Sequence, residues 1–433
     1  MREMKDSGLE WVGEVGVDCS FVPLKYFLES KDAVKVGPFG SQLSGNDFSD
    51  DVTDYWVYNQ RTVIDNEYET GNAYIQKEKF DSMASFHVHA DDILITTRGT
   101  IGKISKVPCG HKKGVLHPCI IRFRIDPKKY CYKLLEIIFN SSDFVTRQII
   151  YKSNATTIEV IYSDTLRNII LPYYEYERQE QIADYLEKQC NSFNALIADI
   201  QSQIEALEEY KRSVITEAVT KGLDPDVEMK DSGVQWIGRM PIHWDCQRGK
   251  YILRYVQKPV RDDDGVITCF RDGEVTLRSN RREEGFTMAD KEIGYQGIDV
   301  GDLVVHGMDG FAGAIGISDS RGKASPVLNV LDTEQSKRYI MYYLRSMAYN
   351  DVFVALATGI RVRSCDLRWN KLAELLYPLP PIEEQQAIVE HIDSVLERTN
   401  AIIAEKKQQI ETIEEYKKSL IFEYVTGKKE VQA

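Results

Sequence analysis

The strongest constraint on this chain is that it contains one unit twice. MKDSGLEWVGE at residues 4–14 returns as MKDSGVQWIGR at 229–239, and a longer segment, 182–220, returns without a gap as 388–426. With 433 residues the chain is a two-period array, too short for a solenoid and long enough for several cores. The segments between the repeated pieces differ in sequence, and the second is the shorter. Repetition is therefore kept at the edges of each copy and lost inside it.

The long repeated segment reads as a helix. Leu186, Cys190, Phe193, Ile197, Ile200, Ile204, Leu207, Lys211, Val214 and Ala218 fall at alternating steps of four and three. The second copy gives Ile392, Leu396, Thr399, Ile403, Lys406, Ile410, Ile413, Lys417, Leu420 and Tyr424 in the same register. Polar residues interrupt both seams and can fix alignment at some cost in stability. Neither segment contains Pro or Gly. At 1.5 Å per residue such a helix is a rod of roughly 60 Å, and its narrow apolar stripe has to be covered by another helix. The two copies are the expected partners, and a pseudo-twofold relation between them makes the pair antiparallel. The competing expectation lays each helix on its own globular domain.

The same helices hold much of the acid. Residues 175–221 carry ten acidic against five basic side chains and 378–428 carry ten against six, which accounts for most of the net charge of -13. The variable segments 15–172 and 245–377 hold nineteen of each sign. They are neutral overall and free to carry local basic faces, so the acidic total does not exclude a nucleic-acid partner. The eight cysteines are scattered without a Cys-x-x-Cys pair, which argues for reduced thiols. No window is apolar enough to span a bilayer and the first twenty residues are too polar for a secretory signal, so the expected compartment is the cytoplasm.

Inside the variable segments, strand-like runs alternate with turns at 91–108 and 114–125, followed by a helical stretch near 132–149. The second segment repeats the order, with a strand and turn at 301–318 and a helical stretch near 336–349. Residues 92–102 and 302–313 look like counterparts, each an aspartate opening a β-branched strand that ends in a Gly-rich turn. Such turns let a backbone approach a ligand closely, although they also simply reverse a strand. The expected fold class is α+β.

No catalytic constellation is visible. GTIGK at 99–103 has glycine spacing too short for a phosphate loop, and Cys109, His111, His117 and Cys119 lack the spacing of common structural zinc sites. Basic residues with small or aromatic neighbours are better represented. Arg271, Arg278, Arg281 and Arg282 lie within 267–286, and Arg361, Arg363, Arg368 and Lys371 within 357–372. Arg98 and Lys103 stand in the first Gly-rich turn. Arginine in such clusters can bond guanine bidentately, whereas lysine more often meets phosphate as a point charge.

Together these motifs resemble the specificity subunit of type I restriction-modification systems, over essentially the whole chain. The repeated DSG-x-x-W-x-G at 6–13 and 231–238 is similar to the family's leading segment before each target recognition domain. The second copy continues as MPIHW at 240–244, whereas the first reads VGVDCS and lacks that Pro and Trp. LPPIEEQQAIVEHI at 379–392 is similar to the family's most recognisable signature, and LPYYEYERQEQIADYL at 171–186 is an extended version of it. GPFGSQL at 37–43 and DILITTRGTIGK at 92–103 resemble first-domain motifs, while GDLVVHGMDGFAGAIG at 301–316 resembles another recognition-domain subtype.

The resemblance implies two α+β target recognition domains separated by two long helices that pair as an antiparallel coiled coil. The corresponding boundaries are 1–16 for the leading segment, 17–173 for the first recognition domain, 174–224 for the central helix, 225–378 for the second domain, opening with the repeat at 229–244, and 379–428 for the distal helix. Each domain is expected to read one half of a bipartite, asymmetric site in double-stranded DNA, with the helices fixing the gap. Gly37, Gly40, Ser41, Arg98, Gly99, Thr100 and Lys103 are the candidate DNA-binding residues of one domain, and Arg271, Arg278, Arg361, Arg363 and Arg368 those of the other. The expected coiled-coil seam is Leu186, Phe193, Ile200, Leu207 and Val214 against Ile392, Ile403, Ile410, Ile413 and Leu420. Two modification subunits carrying S-adenosylmethionine are expected to dock on the chain, with restriction subunits using ATP and Mg. No cofactor and no metal are expected in this chain itself, no catalysis, and no membrane. The competing reading is a duplicated coiled-coil scaffold whose α+β domains bind proteins.

Overall fold

The computed structural model describes residues 3–71, 73–153, 160–281, 293–356 and 367–431. The chain divides into two compact units, Met1–Ile200 with Gln408–Ala433, and Gln201–Lys407. The first therefore contains both ends of the chain. Each unit takes one half of each of two long helices, Tyr176–Lys221 and Ile382–Val425. No helix among the described residues is long and apolar enough to cross a membrane.

Both units are built on the same four-stranded antiparallel sheet. In unit 1 the order is Lys35–Val36, Ile120–Phe123, Ile93–Thr96 and Ile104–Lys106. In unit 2 it is Leu253–Tyr255, Leu328–Thr333, Leu303–His306 and Ile315–Ile317. The inner strands ILIT and LVVH are buried along nearly their whole length, with three consecutive apolar residues each, as strands covered on both faces require. Leu134, Leu135 and Ile138 of helix Tyr132–Asn140 enter the unit 1 core, and Tyr339, Ile340, Tyr343 and Leu344 of helix Lys337–Tyr349 enter that of unit 2. The helical stretch expected near 132–149 is two helices, since a second begins at Phe144. The break falls where the Ser142 hydroxyl bonds back to the Ile138 carbonyl and accepts the Phe144 amide, diverting backbone groups a continuous helix would use.

A two-stranded pair closes each unit where the recognition segment meets the repeat. Ser20–Pro23 pairs with Ile170–Tyr173, and Asp245–Arg248 pairs with Leu376–Leu379. The units differ in what is added to this frame. Unit 1 carries a second sheet of Gly114–Leu116, Trp56–Tyr58, Tyr74–Ile75 and Phe48–Ser49. Unit 2 instead has two short two-stranded antiparallel pairs, Ile267–Cys269 with Val275–Leu277 and Gln296–Ile298 with Gly322–Ala324.

The long helices run antiparallel within each unit. In unit 1 the Tyr185 and Tyr424 rings lie 4.6 Å apart, those of Phe193 and Tyr416 5.6 Å apart, and Lys417 donates to Asn194 at 2.8 Å. In unit 2 Lys406 donates to Gln203, while Ile215, Ala218 and Val219 share a core with Ile388, Val389 and Ile392. Leu186, Ile200, Ile392, Ile403 and Leu420 are buried, and Phe193, Leu207, Val214, Ile410 and Ile413 are half-buried. Lys406 and Lys417, polar interruptions of the seam, are thus cross-helix donors. Both helices end at a glycine with positive φ, Gly222 at 78° and Gly427 at 68°, as a left-handed C-terminal cap requires.

Candidate nucleic-acid interface

The counterpart strands 92–102 and 302–313 share their construction as well as their order. Asp92 is buried, accepts the His89 amide at 2.7 Å and is held by Arg124 at 2.6 Å. Asp302 is likewise buried, accepts the Asp299 amide at 2.8 Å and is held by Lys258. The preceding residue is left-handed in both, Asp91 at φ 67° and Gly301 at φ 86°. An aspartate tolerates this conformation better than most side chains. Each carboxylate thus fixes the base of a hairpin, and in unit 1 the far end of that hairpin carries Arg98, Gly99 and Thr100.

In unit 1 three loops are tied together at that end. The Thr97 amide and hydroxyl both donate to the Cys119 carbonyl, at 3.1 and 2.9 Å. The Gly37 amide donates to the Ile120 carbonyl at 2.9 Å, and a Cβ on Gly37 would lie 2.1 Å from the His117 carbonyl oxygen, so only glycine fits. Gln60, at the start of helix Gln60–Asp65, donates to the Thr100 carbonyl at 3.3 Å and braces the turn from the side. Arg98, Gly99, Thr100, Gly40 and Ser41 are exposed on these loops, and Gly40 has open space around it. Arg98 is exposed, and among the described residues no carboxylate pairs with it.

Lys103 points elsewhere. It is half-buried, and its ammonium donates to the Asn140 carbonyl at the end of helix Tyr132–Asn140. Burial, with repulsion from Lys417 and Lys418, holds its pKa below the usual lysine value. The structure therefore separates Lys103 from Arg98, although five residues of sequence join them. A cation at a helix C-terminus satisfies orphan carbonyls, and this is the work its geometry provides.

Three arginines of unit 2, Arg271, Arg278 and Arg281, are engaged within the protein. Arg271 pairs with Asp309 at 2.9 Å, and Arg278 donates to the Thr268 hydroxyl at 3.2 Å. Arg281 pairs with Asp272 and Glu274 and stacks over Phe270 at 4.2 Å. The cationic run of the sequence is thus interleaved with carboxylates contributed by the turn 272–274 and by the loop after the Leu303–His306 strand. Arg368 is exposed at the start of helix Trp369–Leu372, beside Gly307. Leu367 donates to the Gly307 carbonyl at 2.8 Å, so Arg368 and the end of the hairpin strand are joined as Arg98 is to its own strand. Arg361, Arg363 and Arg282 lie outside the described residues.

His117 is expected to make the unit 1 loops sensitive to acid. Its Nδ1 accepts the Cys119 amide at 3.1 Å, and burial lowers its pKa below the ordinary 6.5. The unfolded chain therefore takes up this proton first, so the stability contribution is complete above about pH 6.5 and is lost as pH falls below it. Thermal unfolding of the chain followed from pH 7.5 to about 5.5 is expected to weaken steadily, and His117→Gln to flatten that slope. An unchanged slope in the variant would remove His117 from the account.

Two like-built frames, each offering a different set of exposed loops at the same place, define a duplicated α+β class joined by antiparallel helices. A family model described as type I restriction modification DNA specificity domain matches residues 43–206 and 304–412, well over half of the chain. The chain belongs to that family. It is 24% identical over 429 residues to the type I restriction enzyme MjaVIII specificity subunit of Methanocaldococcus jannaschii, covering 92% of this chain and 93% of that one. It is 22% identical over 432 residues to the putative type I restriction enzyme MjaX specificity subunit of the same organism, covering 96% and 95%. A solved chain from work on complex assembly and conformational transition of the type I R-M system superposes with a TM-score of 0.64 at 14% identity, covering 95% of this chain and 98% of that one.

Some residues of the site carry no signal in the sequence. Gln60 is a solitary glutamine whose role arises only from the packing of helix Gln60–Asp65 beside the turn. Gln179 and Gln385 had a signal, since each stands three residues before the start of the long repeat. Their function is visible only in the fold.

Proposed function

We propose that this chain is the DNA sequence-specificity subunit of a type I restriction-modification complex. Each unit reads one half of a bipartite, asymmetric site, and the long helices set the gap between the halves. The observation that carries the reading is the repeated frame: the same sheet and the same buried aspartate present different loops in each unit, and two different readers on one frame suit two different half-sites. The helices fit a spacing role because linked modules gain from effective concentration only when their separation matches that of the sites. Double-stranded DNA, two modification subunits and the restriction subunits are the partners. S-adenosylmethionine, ATP and Mg belong to those subunits, and this chain takes no catalytic step.

Arg98 is the residue of unit 1 best placed to meet DNA. In the assembled complex with its modification subunits, Arg98→Ala is expected to weaken binding by about 1 to 3 kcal/mol and to relax preference at one position of one half-site. The check is competition among duplexes altered base by base in each half. Loss confined to the other half-site would contradict the assignment, and equal loss on every sequence would make Arg98 a phosphate contact.

A further inference from the structure

We propose that Phe39 is a stacking wedge, inserting its ring at a base step of the half-site read by unit 1; the inference rests on the DNA-reading function above. Phe39 is 76% exposed, yet its loop is fixed on both sides. On one side Gly37 is pinned to Ile120 with no room for a side chain against His117. On the other, the Phe39 carbonyl accepts the Gln42 and Leu43 amides at 2.8 and 3.2 Å, and the Phe39 amide donates to the Gln42 side chain at 3.1 Å. Leu43 is buried among Val57, Ile75, Phe80, Met83 and Val115, anchoring the turn in the core of the second sheet. The ring is thus held out to solvent by a rigid backbone while its neighbours Gly40 and Ser41 leave the approach open.

The position of this loop joins Phe39 to Arg98. Both residues project from loops fastened to the single segment 117–120, one through Gly37 and Ile120, the other through Thr97 and Cys119. The two loops are thus tied to one common segment, with Phe39 and Arg98 both exposed on them. Phenylalanine has no donor or acceptor, so it can neither read a base edge by hydrogen bonding nor hold a phosphate. Its gain on DNA is apolar: a partly unstacked base step offers two π-faces, and an inserted apolar side chain takes the place of the lost stacking. Its fixed backbone lowers the ordering cost of that insertion.

The test uses the complex of this chain with its modification subunits and duplexes carrying the site mapped by adenine methylation, with 2-aminopurine substituted position by position. The wild-type complex is expected to raise 2-aminopurine fluorescence at one step of the unit 1 half-site. Phe39→Ala is expected to abolish that rise and to weaken binding roughly five-fold to a hundred-fold, while Phe39→Trp keeps both. Phe39 is exposed, so equal melting temperatures for the three proteins are expected and confirm that folding is not the cause. An unchanged fluorescence pattern in Phe39→Ala overturns the wedge, and so does loss of fluorescence that Phe39→Trp fails to restore. Failure of Phe39→Ala to assemble with the modification subunits overturns it in favour of a protein contact. Absence of sequence-selective binding by the wild-type complex would instead sink the reading function itself.

Discussion

Trp244→Ala is expected to destabilise the Gln201–Lys407 unit by about 3 to 5 kcal/mol, the cost of emptying a well-packed aromatic site. Trp244 is completely buried, and its indole donates to Glu384 at 3.1 Å, a carboxylate that also meets His243 at 2.8 Å. Its ring lies against Gly222, where a Cβ would come within 3.2 Å, so it also packs the cap of the first long helix. The loss therefore combines a cavity, one lost hydrogen bond to Glu384 and a loosened helix end. The first copy solves the same problem with different residues. Cys19 occupies the place of Trp244, and Tyr174 stands where the second copy has Pro380. The Tyr174 hydroxyl donates to the Val425 carbonyl at 3.0 Å and lies 2.9 Å from where a Cβ on Gly427 would be. Denaturant unfolding, with hydrogen exchange to localise the effect, should assign the loss to the unit containing Trp244. A cost under about 1 kcal/mol would show that the site collapses freely and does not hold the helix end.

Gln385→Leu and Gln179→Leu are expected to cost about 2 to 4 kcal/mol each, since each strands buried polar groups that water cannot reach. Both amides are fully buried. Gln385 accepts the Ser336 amide at 3.0 Å and donates to the Pro380 carbonyl at 3.0 Å and to Gln335 at 2.7 Å. Gln179 accepts the Cys131 amide at 2.9 Å and donates to the carbonyls of Tyr174 at 2.8 Å and Lys129 at 3.1 Å. Ser336 and Cys131 are the residues that start the core helices Lys337–Tyr349 and Tyr132–Asn140. Each glutamine thus ties the first turn of a long helix to the strand before it and to the core helix of its own unit. Isosteric Gln→Met variants should fare nearly as badly, because shape is kept and hydrogen bonding is lost. Melting curves that leave either variant within about 0.5 kcal/mol of the wild type would mean that water enters and satisfies these groups.

What the sequence made legible follows from periodicity and repetition. Steps of four and three over residues 186–218 and 392–424 depend only on helix geometry, and the antiparallel pairing follows from two copies facing each other. The resemblance of Asp92 and Asp302 was legible for the same reason: a local pattern recurs because a local structure does. What stayed hidden depends on partners distant in sequence. Lys103 turns inward because the carbonyl of Asn140 waits there, and Arg271 is paired because Asp309 arrives from another loop. Neither direction is encoded in the spacing of the basic residues themselves. Compensation between Cys19 with Tyr174 and Trp244 with Pro380 was equally invisible, because each pair meets only when the closing strands Ser20–Pro23 with Ile170–Tyr173 and Asp245–Arg248 with Leu376–Leu379 form. The departure of the first copy from the MPIHW pattern marked the place without revealing the remedy.

The central claim, that two differently loop-bearing units read two half-sites, is tested most directly by genome-wide adenine methylation in cells expressing this chain with its modification subunit, compared with cells carrying the modification subunit alone. The account predicts a new motif of two unlike halves separated by one fixed gap, present only when this chain is present. Both proteins expressed and associated, with no new motif, would contradict it.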